Sequence, residues 1–201
     1  MEPLKPLLIA LEGNIGAGKT TLALRLAEKL GAAFVPERFE NNPLLPLFYA
    51  DPQRHAFALE VSFLEDRYRQ LRDEIPAAPL LVSDYYFGKS LVFARINLQN
   101  EELKLFERLY ARFAGEVAAP ALLVYLHRGI SGLQRNISRR GREYEQQIQD
   151  EYLQKIEAGY HAHFNAGAAF PVLHLDTEEL DNEALLARIM DELRKRFSIN
   201  A

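Results

Sequence analysis

The chain has 201 residues, no cysteine and a formal net charge of −4, from 24 Lys plus Arg against 28 Asp plus Glu. A chain of this length buries enough apolar surface to fold unaided, and the absence of cysteine excludes a disulfide framework and a thiolate metal site. The mild acidity gives no general attraction to nucleic acid or to anionic membranes, which favours small-molecule chemistry.

The N-terminal segment indicates neither export nor membrane insertion. It lacks the basic start and the apolar stretch of a signal peptide. No apolar run in the sequence approaches the ~18 residues that cross a bilayer. We therefore expect a soluble, cytoplasmic protein.

Five short apolar runs predict the strands of a parallel sheet. Helical patterns separate them, and this alternation is typical of an α/β domain with helices on both faces of the sheet. The runs are Leu7 to Leu11, Ala33 to Val35, Leu80 to Ser83, Ala121 to Leu126 and Val172 to Leu175. No repeat or linker interrupts them, so we expect one domain over residues 1–201. Ligands of such sheets lie beyond the carboxyl ends of the strands, so the residues that follow each run are site candidates.

The first run leads into a glycine-rich loop that fits the pattern G-x-x-x-x-G-K-[ST], followed by a helix predicted from about Lys19 to Leu30. Glycines let backbone N–H groups turn inward as an anion nest, and the helix N-terminus adds positive potential. In this pattern the lysine reaches the β- and γ-phosphates and the next hydroxyl ligates Mg²⁺. The loop therefore predicts binding of ATP and Mg²⁺ by Gly13, Asn14, Ile15, Gly16, Ala17, Gly18, Lys19, Thr20 and Thr21.

Glu37 comes just after the second run, on the side of the sheet where the glycine-rich loop emerges. A carboxylate at this place repels an anionic acceptor but can receive the proton of an alcohol, so it favours a neutral hydroxyl as the phosphate acceptor. The neighbouring Arg38 leaves an alternative open. In that alternative the arginine holds a monophosphate and Glu37 only pairs with it.

Asp84 directly follows the third run, in the sequence LLVSD. An apolar run followed by an acid is typical of the magnesium ligand of enzymes with this loop. A turn-capping aspartate is the alternative. Combined with the loop, the pattern predicts that Asp84 and Thr20 hold Mg²⁺ beside the substrate.

A helix predicted from Gln53 to Glu74 carries two charges that have no local counter-charge. At ~100° per residue, Glu60 and Arg67 project about 20° apart and ~10.5 Å along the axis, at the margin of the apolar face. The residues three and four positions from each are uncharged. A solvated edge, a pairing with another element and contact with a ligand all stay open.

An arginine-rich segment lies near residue 140 and is broken by Gly141. Its charges need solvent or an anion, and in a phosphotransferase they predict a lid, at about residues 135–148, that closes on the triphosphate. A solvated helix end and a nucleic-acid patch are alternatives, and the acidic net charge counts against the second. The arginines are Arg135, Arg139, Arg140 and Arg142.

Taken in order, these segments resemble the bacterial deoxynucleoside kinases, closest to the deoxyguanosine and deoxyadenosine kinase branch. The resemblance runs through IALEGNIGAGKTTLA, ERFENNPLLPLFYADPQRHAFALEVSFLEDRYRQL, LVSDYYFGKSLVFA, ISRRGREYEQQIQDEYL and VLHLD. It implies a P-loop kinase fold with an Arg-rich lid that transfers the γ-phosphate of ATP to the 5′-hydroxyl of a deoxynucleoside, in nucleotide salvage. The family is typically homodimeric.

The resemblance also implies catalytic roles. Glu37 matches the catalytic carboxylate near the 5′-hydroxyl. Arg140 and Arg142 match the lid arginines, which would stabilise the transferred group together with Lys19. Arg139 is placed less securely, among the ATP contacts.

For the nucleoside, the resemblance implies that Tyr49 and Glu145 hold the 3′-hydroxyl and that Glu60 and Arg67 read the base. The position of Glu60 is often glutamine in relatives. An ionised glutamate only accepts hydrogen bonds, which suits the adjacent N1–H and N2–H donors of guanine, with Arg67 donating toward O6 or N7. We therefore expect a purine kinase that prefers deoxyguanosine, then deoxyadenosine.

One departure from the family concerns the residue after Asp84, where many relatives have an arginine and this chain has Tyr85 and Tyr86. A phosphate-contacting charge is therefore missing, with Arg38 and the lid as candidate replacements.

The sequence leaves two alternative functions possible and does not decide the role of one apolar segment. A thymidylate-kinase-like nucleoside monophosphate kinase shares the loop and the lid. A nucleotide-dependent switch would keep the loop but would leave the predicted nucleoside contacts without a purpose. The apolar residues of one further segment fit either a homodimer contact or the core of the monomer: Leu103, Phe106, Tyr110 and Phe113.

Overall fold

The computed structural model describes residues 6–73, 75 and 77–197. Its strands form a parallel sheet in the order β2-β3-β1-β4-β5. The strands are β1 (Leu7–Gly13), β2 (Ala33–Val35), β3 (Leu80–Ser83), β4 (Leu122–His127) and β5 (Val172–Asp176). The α/β fold and the five predicted strands are thus confirmed.

Helices connect the strands and cover the sheet. They are α1 (Lys19–Leu30), α2 (Leu44–Ala50), α3 (Pro52–Arg72), α4 (Lys89–Asn97), α5 (Asn100–Ala114), α6 (Ile130–Arg140), α7 (Asp150–Asn165) and α8 (Asn182–Phe197), with a 3₁₀ turn at Glu143–Glu145. The first helix has its predicted bounds. The helix predicted from Gln53 to Glu74 is α3, and Glu74 lies outside the described residues. No helix in the described ranges is long and apolar enough to cross a membrane.

The central strand is apolar on both sides because both faces of the sheet are covered. Successive side chains of a strand point to opposite faces, and β1 follows this rule. Ile9 and Leu11 lie in a core formed with α1, α6 and α8. Leu8 lies in a second core, formed with α3, α4 and α5.

The apolar residues of α5 belong to the core of this chain. Phe106 is fully buried, and Leu103 packs against the same cluster. Tyr110 stacks on Phe87 with ring centroids 5.2 Å apart. These contacts match the monomer-core alternative, and the homodimer stays a prediction.

The carboxyl ends of the strands determine where the site lies. Because all pairings in the sheet are parallel, these ends meet at one edge. The glycine-rich loop follows β1 there, Glu37 lies two residues beyond β2, and Asp84 directly follows β3. Groups separated by tens of residues in the sequence are therefore close in space.

Candidate active site

The glycine-rich loop takes a shape that only glycine allows at its centre. Gly16 has φ +84°, and a Cβ atom there would lie 2.8 Å from the carbonyl oxygen of Leu133 in α6. Asn136 of the same helix donates its amide to the Gly16 carbonyl at 2.7 Å. The loop is therefore seated on the helix that leads into the predicted lid.

Lys19 lies across the mouth of this loop. Its Nζ donates to the carbonyl oxygens of Gly13 and Asn14, both at 2.9 Å. Burial, followed by the nearby charge of Lys89, lowers the pKa of Lys19 to about 8. The ammonium is thus held where phosphate oxygens would meet it.

Two residues predicted to contact ATP turn their side chains inward. Asn14 is buried, and its amide donates to the carbonyl of Leu153 in α7 at 2.8 Å. Ala17 lies in the apolar core. Any contact of these two residues with a phosphate is therefore made by the backbone.

Glu12, which the sequence analysis did not single out, fixes the start of the loop. It is fully buried and accepts hydrogen bonds from the Gly13 N–H at 2.9 Å and from the Tyr160 hydroxyl at 2.8 Å. The Tyr86 N–H donates to its other oxygen at 3.3 Å. These bonds satisfy the buried carboxyl group and tie the loop to α7 and to the segment after β3.

Thr20 and Asp84, the two predicted magnesium ligands, meet in the structure. The Thr20 hydroxyl donates to Asp84 Oδ2 at 2.5 Å, and Asp84 Oδ1 accepts from the Glu37 N–H at 2.7 Å. Among the described residues no cluster of three His, Cys, Asp or Glu side chains could hold a metal alone. Mg²⁺ usually takes one or two carboxylates and fills its other positions with water and phosphate, so this oxygen pair fits it.

Two cations from different helices hold the Glu37 carboxylate. Arg67 donates to Oε1 from Nε at 3.1 Å and from a terminal nitrogen at 2.7 Å, and Lys89 donates to Oε2 at 2.6 Å. Burial raises the pKa of Glu37, but the charges of Lys89 and Arg67 outweigh it and bring the pKa to about 2. Glu37 therefore stays ionised at neutral pH as a hydrogen-bond acceptor.

The contacts of Arg67 decide between alternatives that its spacing left open. Besides its bonds to Glu37, it donates to the Ser90 hydroxyl at 2.9 Å, and its guanidinium lies 4.8 Å from the Phe63 ring centroid. Of the three alternatives, the structure shows a pairing of Arg67 with another element, the segment that carries Glu37. Direct contact of Arg67 with a base stays a prediction, and its observed contacts orient Glu37.

Lys89 is a candidate residue that the sequence analysis missed. Arg38 and the lid stay candidates for the charge that is missing after Asp84. In the described residues, Lys89 and Arg67 are the cations that donate to Glu37. Tyr85 turns instead to Gln70, to which its hydroxyl donates at 2.9 Å. The available signal was a lysine inside the apolar stretch VSDYYFGKSLVFA, because a buried lysine requires an anionic partner.

Glu60 lies at the other end of the site and is buried, with an exposure of 2%. Asn97 donates its amide to Glu60 Oε1 at 2.7 Å, and the Tyr152 hydroxyl donates to the Asn97 carbonyl at 3.1 Å. Burial raises the pKa of Glu60 to about 7, against the hydrogen bond from Asn97 and the nearby charges of Arg67 and Lys89. Asn97 and Tyr152 carried no signal in the sequence analysis.

The predicted lid arginines meet the predicted sugar-binding carboxylate. Arg140, at the end of α6, forms an ion pair with Glu145, and Arg142 donates to the same carboxylate at 3.4 Å. Arg142 also pairs with Glu40 at 3.1 Å. Arg135 faces away toward Glu178.

Two adjoining cavities are lined by the candidate site residues. The larger, of about 860 Å³, lies between the glycine-rich loop, residues 36–43 and the arginines at 139, 140 and 142. The smaller, of about 110 Å³, is lined by all six predicted substrate-binding residues. Glu37 and Lys19 line both cavities, so the carboxylate lies at their boundary. The six residues are Glu37, Tyr49, Glu60, Arg67, Asp84 and Glu145.

Solved structures of known proteins share this fold. Deoxyadenosine kinase from M. mycoides with bound dATP matches with a TM-score of 0.84 at 24% identity, over 94% of this chain and 100% of that chain. The structure of that kinase with bound dCTP gives a TM-score of 0.82 at 23% identity, with the same coverage of both chains. At this level of identity the likeness establishes the fold alone.

Sequence comparison identifies the family. The chain is 34% identical over 156 residues to deoxyguanosine kinase from Bacillus subtilis (strain 168), covering 76% of this chain and 75% of that protein. It is 29% identical over 187 residues to deoxyadenosine kinase from Lactobacillus acidophilus, covering 86% of each. A model of the deoxynucleoside kinase family matches residues 9–198. Nearly the whole chain is therefore spanned by one family description, and the chain belongs to the deoxynucleoside kinase family of enzymes.

Proposed function

We propose that this enzyme transfers the γ-phosphoryl group of ATP to the 5′-hydroxyl of a purine deoxynucleoside, with deoxyguanosine preferred over deoxyadenosine, in nucleotide salvage. The observation that carries the proposal is the place of Glu37. It is an ionised carboxylate at the boundary between a cleft lined by phosphate-binding groups and a pocket whose far wall carries Glu60. The relatives named deoxyguanosine kinase and deoxyadenosine kinase support the same pair of substrates.

On the donor side, the loop and Lys19 would hold the triphosphate in the larger cleft, with Arg139 at its rim. Thr20 and Asp84 would hold Mg²⁺. The bound ion would neutralise negative charge that develops on the phosphates during transfer. Arg140 and Arg142 line both cavities and would add positive charge around the transferred group once a nucleotide competes for them with Glu145.

On the acceptor side, Glu37 would receive a hydrogen bond from the 5′-hydroxyl. Among the residues that the structure describes, its Oε2 has one donor, Lys89, whereas Oε1 already accepts twice from Arg67. The 5′-oxygen attacks the γ-phosphorus, the bond to the β–γ bridging oxygen breaks, and the hydroxyl proton passes to Glu37 as the new O–P bond forms. Because the pKa of Glu37 is low, its main contributions are orientation and a late proton transfer.

Tyr49 and Glu145 would hold the sugar. Both line the smaller pocket, and Tyr49 stacks on Tyr144 with ring centroids 5.9 Å apart, in the 3₁₀ turn that carries Glu145. An ordered sugar places the 5′-oxygen in front of Glu37, and positioning of this kind supplies much of the rate of phosphoryl transfer.

A kinetic panel tests the proposal. The four natural deoxynucleosides and their monophosphates are each supplied with ATP and Mg²⁺, and 5′-monophosphate or diphosphate products are measured. We expect phosphorylation of the nucleosides, with the largest kcat/KM for deoxyguanosine and deoxyadenosine second. A preference for thymidine contradicts the purine assignment. Turnover of monophosphates alone supports the thymidylate-kinase-like alternative, and nucleoside-independent ATP hydrolysis supports a switch.

The kinetic panel does not test the remaining expectations. A single domain over residues 1–201, a lid at about residues 135–148, a homodimer and a cytoplasmic location stay predictions. The position of Gly141, with φ +71° between the ion-paired Arg140 and Arg142, supports the lid because it allows the chain to turn sharply after α6.

A further inference from the structure

Glu60 has a buried oxygen without a partner. In residues 6–73, 75 and 77–197, its Oε2 is the one fully buried side-chain nitrogen or oxygen atom that makes no hydrogen bond. Buried polar atoms are nearly always satisfied, so an exception inside a substrate pocket indicates an atom that a ligand completes. Glu60 lines the smaller pocket, as do Asn97 and Tyr152.

A chain of hydrogen bonds from two other helices sets the orientation of Glu60. The Tyr152 hydroxyl of α7 donates to the Asn97 carbonyl, which turns the Asn97 amide of α4 toward Glu60 Oε1 at 2.7 Å. Oε1 therefore accepts one bond from the protein and keeps a second lone pair, and Oε2 is left entirely for the base.

Within the described part of the chain, no ion pair fixes the charge of Glu60. The nearest cations, Arg67 and Lys89, are hydrogen-bonded to Glu37. Burial raises the pKa of Glu60 to about 7, so the protonated and ionised forms are both populated near neutral pH. The groups that face it are Arg67 on α3, Lys89 and Asn97 on α4, Tyr152 on α7 and Glu37 beyond β2.

The two forms of a carboxyl group match different purines. An ionised carboxylate only accepts hydrogen bonds, as the N1–H and N2–H donors of guanine require. A protonated carboxyl offers one O–H donor and one acceptor, the pattern of a side-chain amide, and amides pair with adenine, which presents a ring-nitrogen acceptor beside its N6 donor.

We propose that Glu60 recognises both purines, guanine when ionised and adenine when protonated, and that Asn97 and Tyr152 are the positioning residues that present it. This inference rests on the proposed function and extends it, because the preference between deoxyguanosine and deoxyadenosine then depends on pH. Raising the pH favours deoxyguanosine and lowering it favours deoxyadenosine.

The test is the ratio of kcat/KM for deoxyguanosine to that for deoxyadenosine, measured with both nucleosides competing in one reaction between pH 6 and pH 8. The two substrates share Glu37, the loop, Mg²⁺ and ATP, so ionisations that affect both equally cancel in the ratio. We expect the ratio to rise with pH, by up to about tenfold per unit, because the ionised-to-protonated ratio of one group changes by that factor. A ratio independent of pH overturns the proposal.

Glu60→Gln supplies the first control, because glutamine keeps the amide-like pattern at every pH. For this variant we expect the ratio of kcat/KM for deoxyguanosine to that for deoxyadenosine to be independent of pH and lower than in the wild type. A pH dependence that persists in this variant also overturns the proposal. Should Glu60→Gln not fold, the wild-type ratio still decides. Failure of the proposed function is a separate result, since neither purine would then be phosphorylated in the panel of four nucleosides.

Tyr152→Phe tests the positioning residues. Without the Tyr152 hydroxyl, Asn97 can turn its carbonyl toward Glu60, which favours the protonated carboxyl, so we expect the ratio at pH 7.5 to fall several-fold toward deoxyadenosine. Tyr68→Phe is the matched control, because its hydroxyl bonds to the exposed Glu116 outside the pocket. A merely structural role for Tyr152 would lower both kcat/KM values together, and an unchanged ratio contradicts the positioning role.

Discussion

The glycine-rich loop and the smaller pocket lie at the same edge of the sheet but are assembled differently. The loop takes its contacts from residues 12–20, and two of its side chains, Asn14 and Ala17, point into the protein interior. The pocket takes polar side chains from α2, α3, α4, α7 and the 3₁₀ turn. Backbone shape defines the first region and buried side-chain charges define the second, so substitutions in the two regions should have separable effects.

Substitution of Glu37, which lies at the boundary between the two regions, should reduce activity the most. Glu37→Gln is expected to lower kcat about 10³-fold, within the ~10²–10⁴-fold range of general base catalysis, with nucleoside affinity largely retained. Steady-state kinetics and nucleoside calorimetry measure the two quantities. Glu65→Gln, an exposed substitution on α3, is the control. Near-normal turnover of Glu37→Gln would eliminate its catalytic role.

Lys89→Met should have the next largest effect, about 100-fold in kcat, the size expected for one lost charge-stabilising donor. Glu37 Oε2 would lose its only protein donor in the described structure, and a positive charge would be lost near the transferred group. Lys89→Arg should recover part of the activity, since it keeps the charge. Lys104→Met removes an exposed lysine and serves as the control. Turnover equal to that of the control would show that Lys89 has no part in the reaction.

Gly16→Ala tests the loop separately. The added Cβ atom would meet the Leu133 carbonyl at 2.8 Å, and φ +84° strains any residue with a side chain. Strain of about 2 kcal/mol should raise the KM for ATP ~30-fold and leave nucleoside binding unchanged. Gly31→Ala, at φ +59° with open space around it, imposes backbone strain away from the loop. An equal loss of nucleoside affinity would remove the distinction between the two regions.

Glu60→Gln should change how the free energy of unfolding depends on pH, because it removes a titrating group of the pocket. The folded-state pKa of about 7 lies above the ordinary value of 4.5, so the folded wild type binds more protons between these values and loses stability as the pH rises through them. Glutamine has no proton to lose. We expect the variant to gain about 2–3 kcal/mol relative to wild type between pH 5 and pH 8, measured by urea unfolding without ligand.

Glu65→Gln is again the control for this stability measurement, because it makes the same substitution at an exposed side chain of the same helix. A difference between Glu60→Gln and wild type that does not change with pH would mean that Glu60 titrates normally in the folded protein.

The sequence alone was sufficient for the features that depend on neighbouring residues or on strand direction. The loop pattern and α1 were predicted with their bounds because glycine conformation and helix periodicity are local properties. Glu37 and Asp84 were site candidates because each follows a strand and parallel strands end at a common edge, and in the structure the backbone of Glu37 donates to Asp84 at 2.7 Å. The resemblance to a kinase family then joined Tyr49 and Glu145 to the same site.

Only the tertiary structure determined which charges neutralise one another. Arg67 lies 30 residues from Glu37 and Lys89 lies 52 residues from it, yet both donate to that carboxylate. Asn97 reaches Glu60 across 37 residues. No periodicity within one helix encodes these pairings, because burial requires each charge to find a partner and only the packing of α3 against α4 determines which partner is within reach.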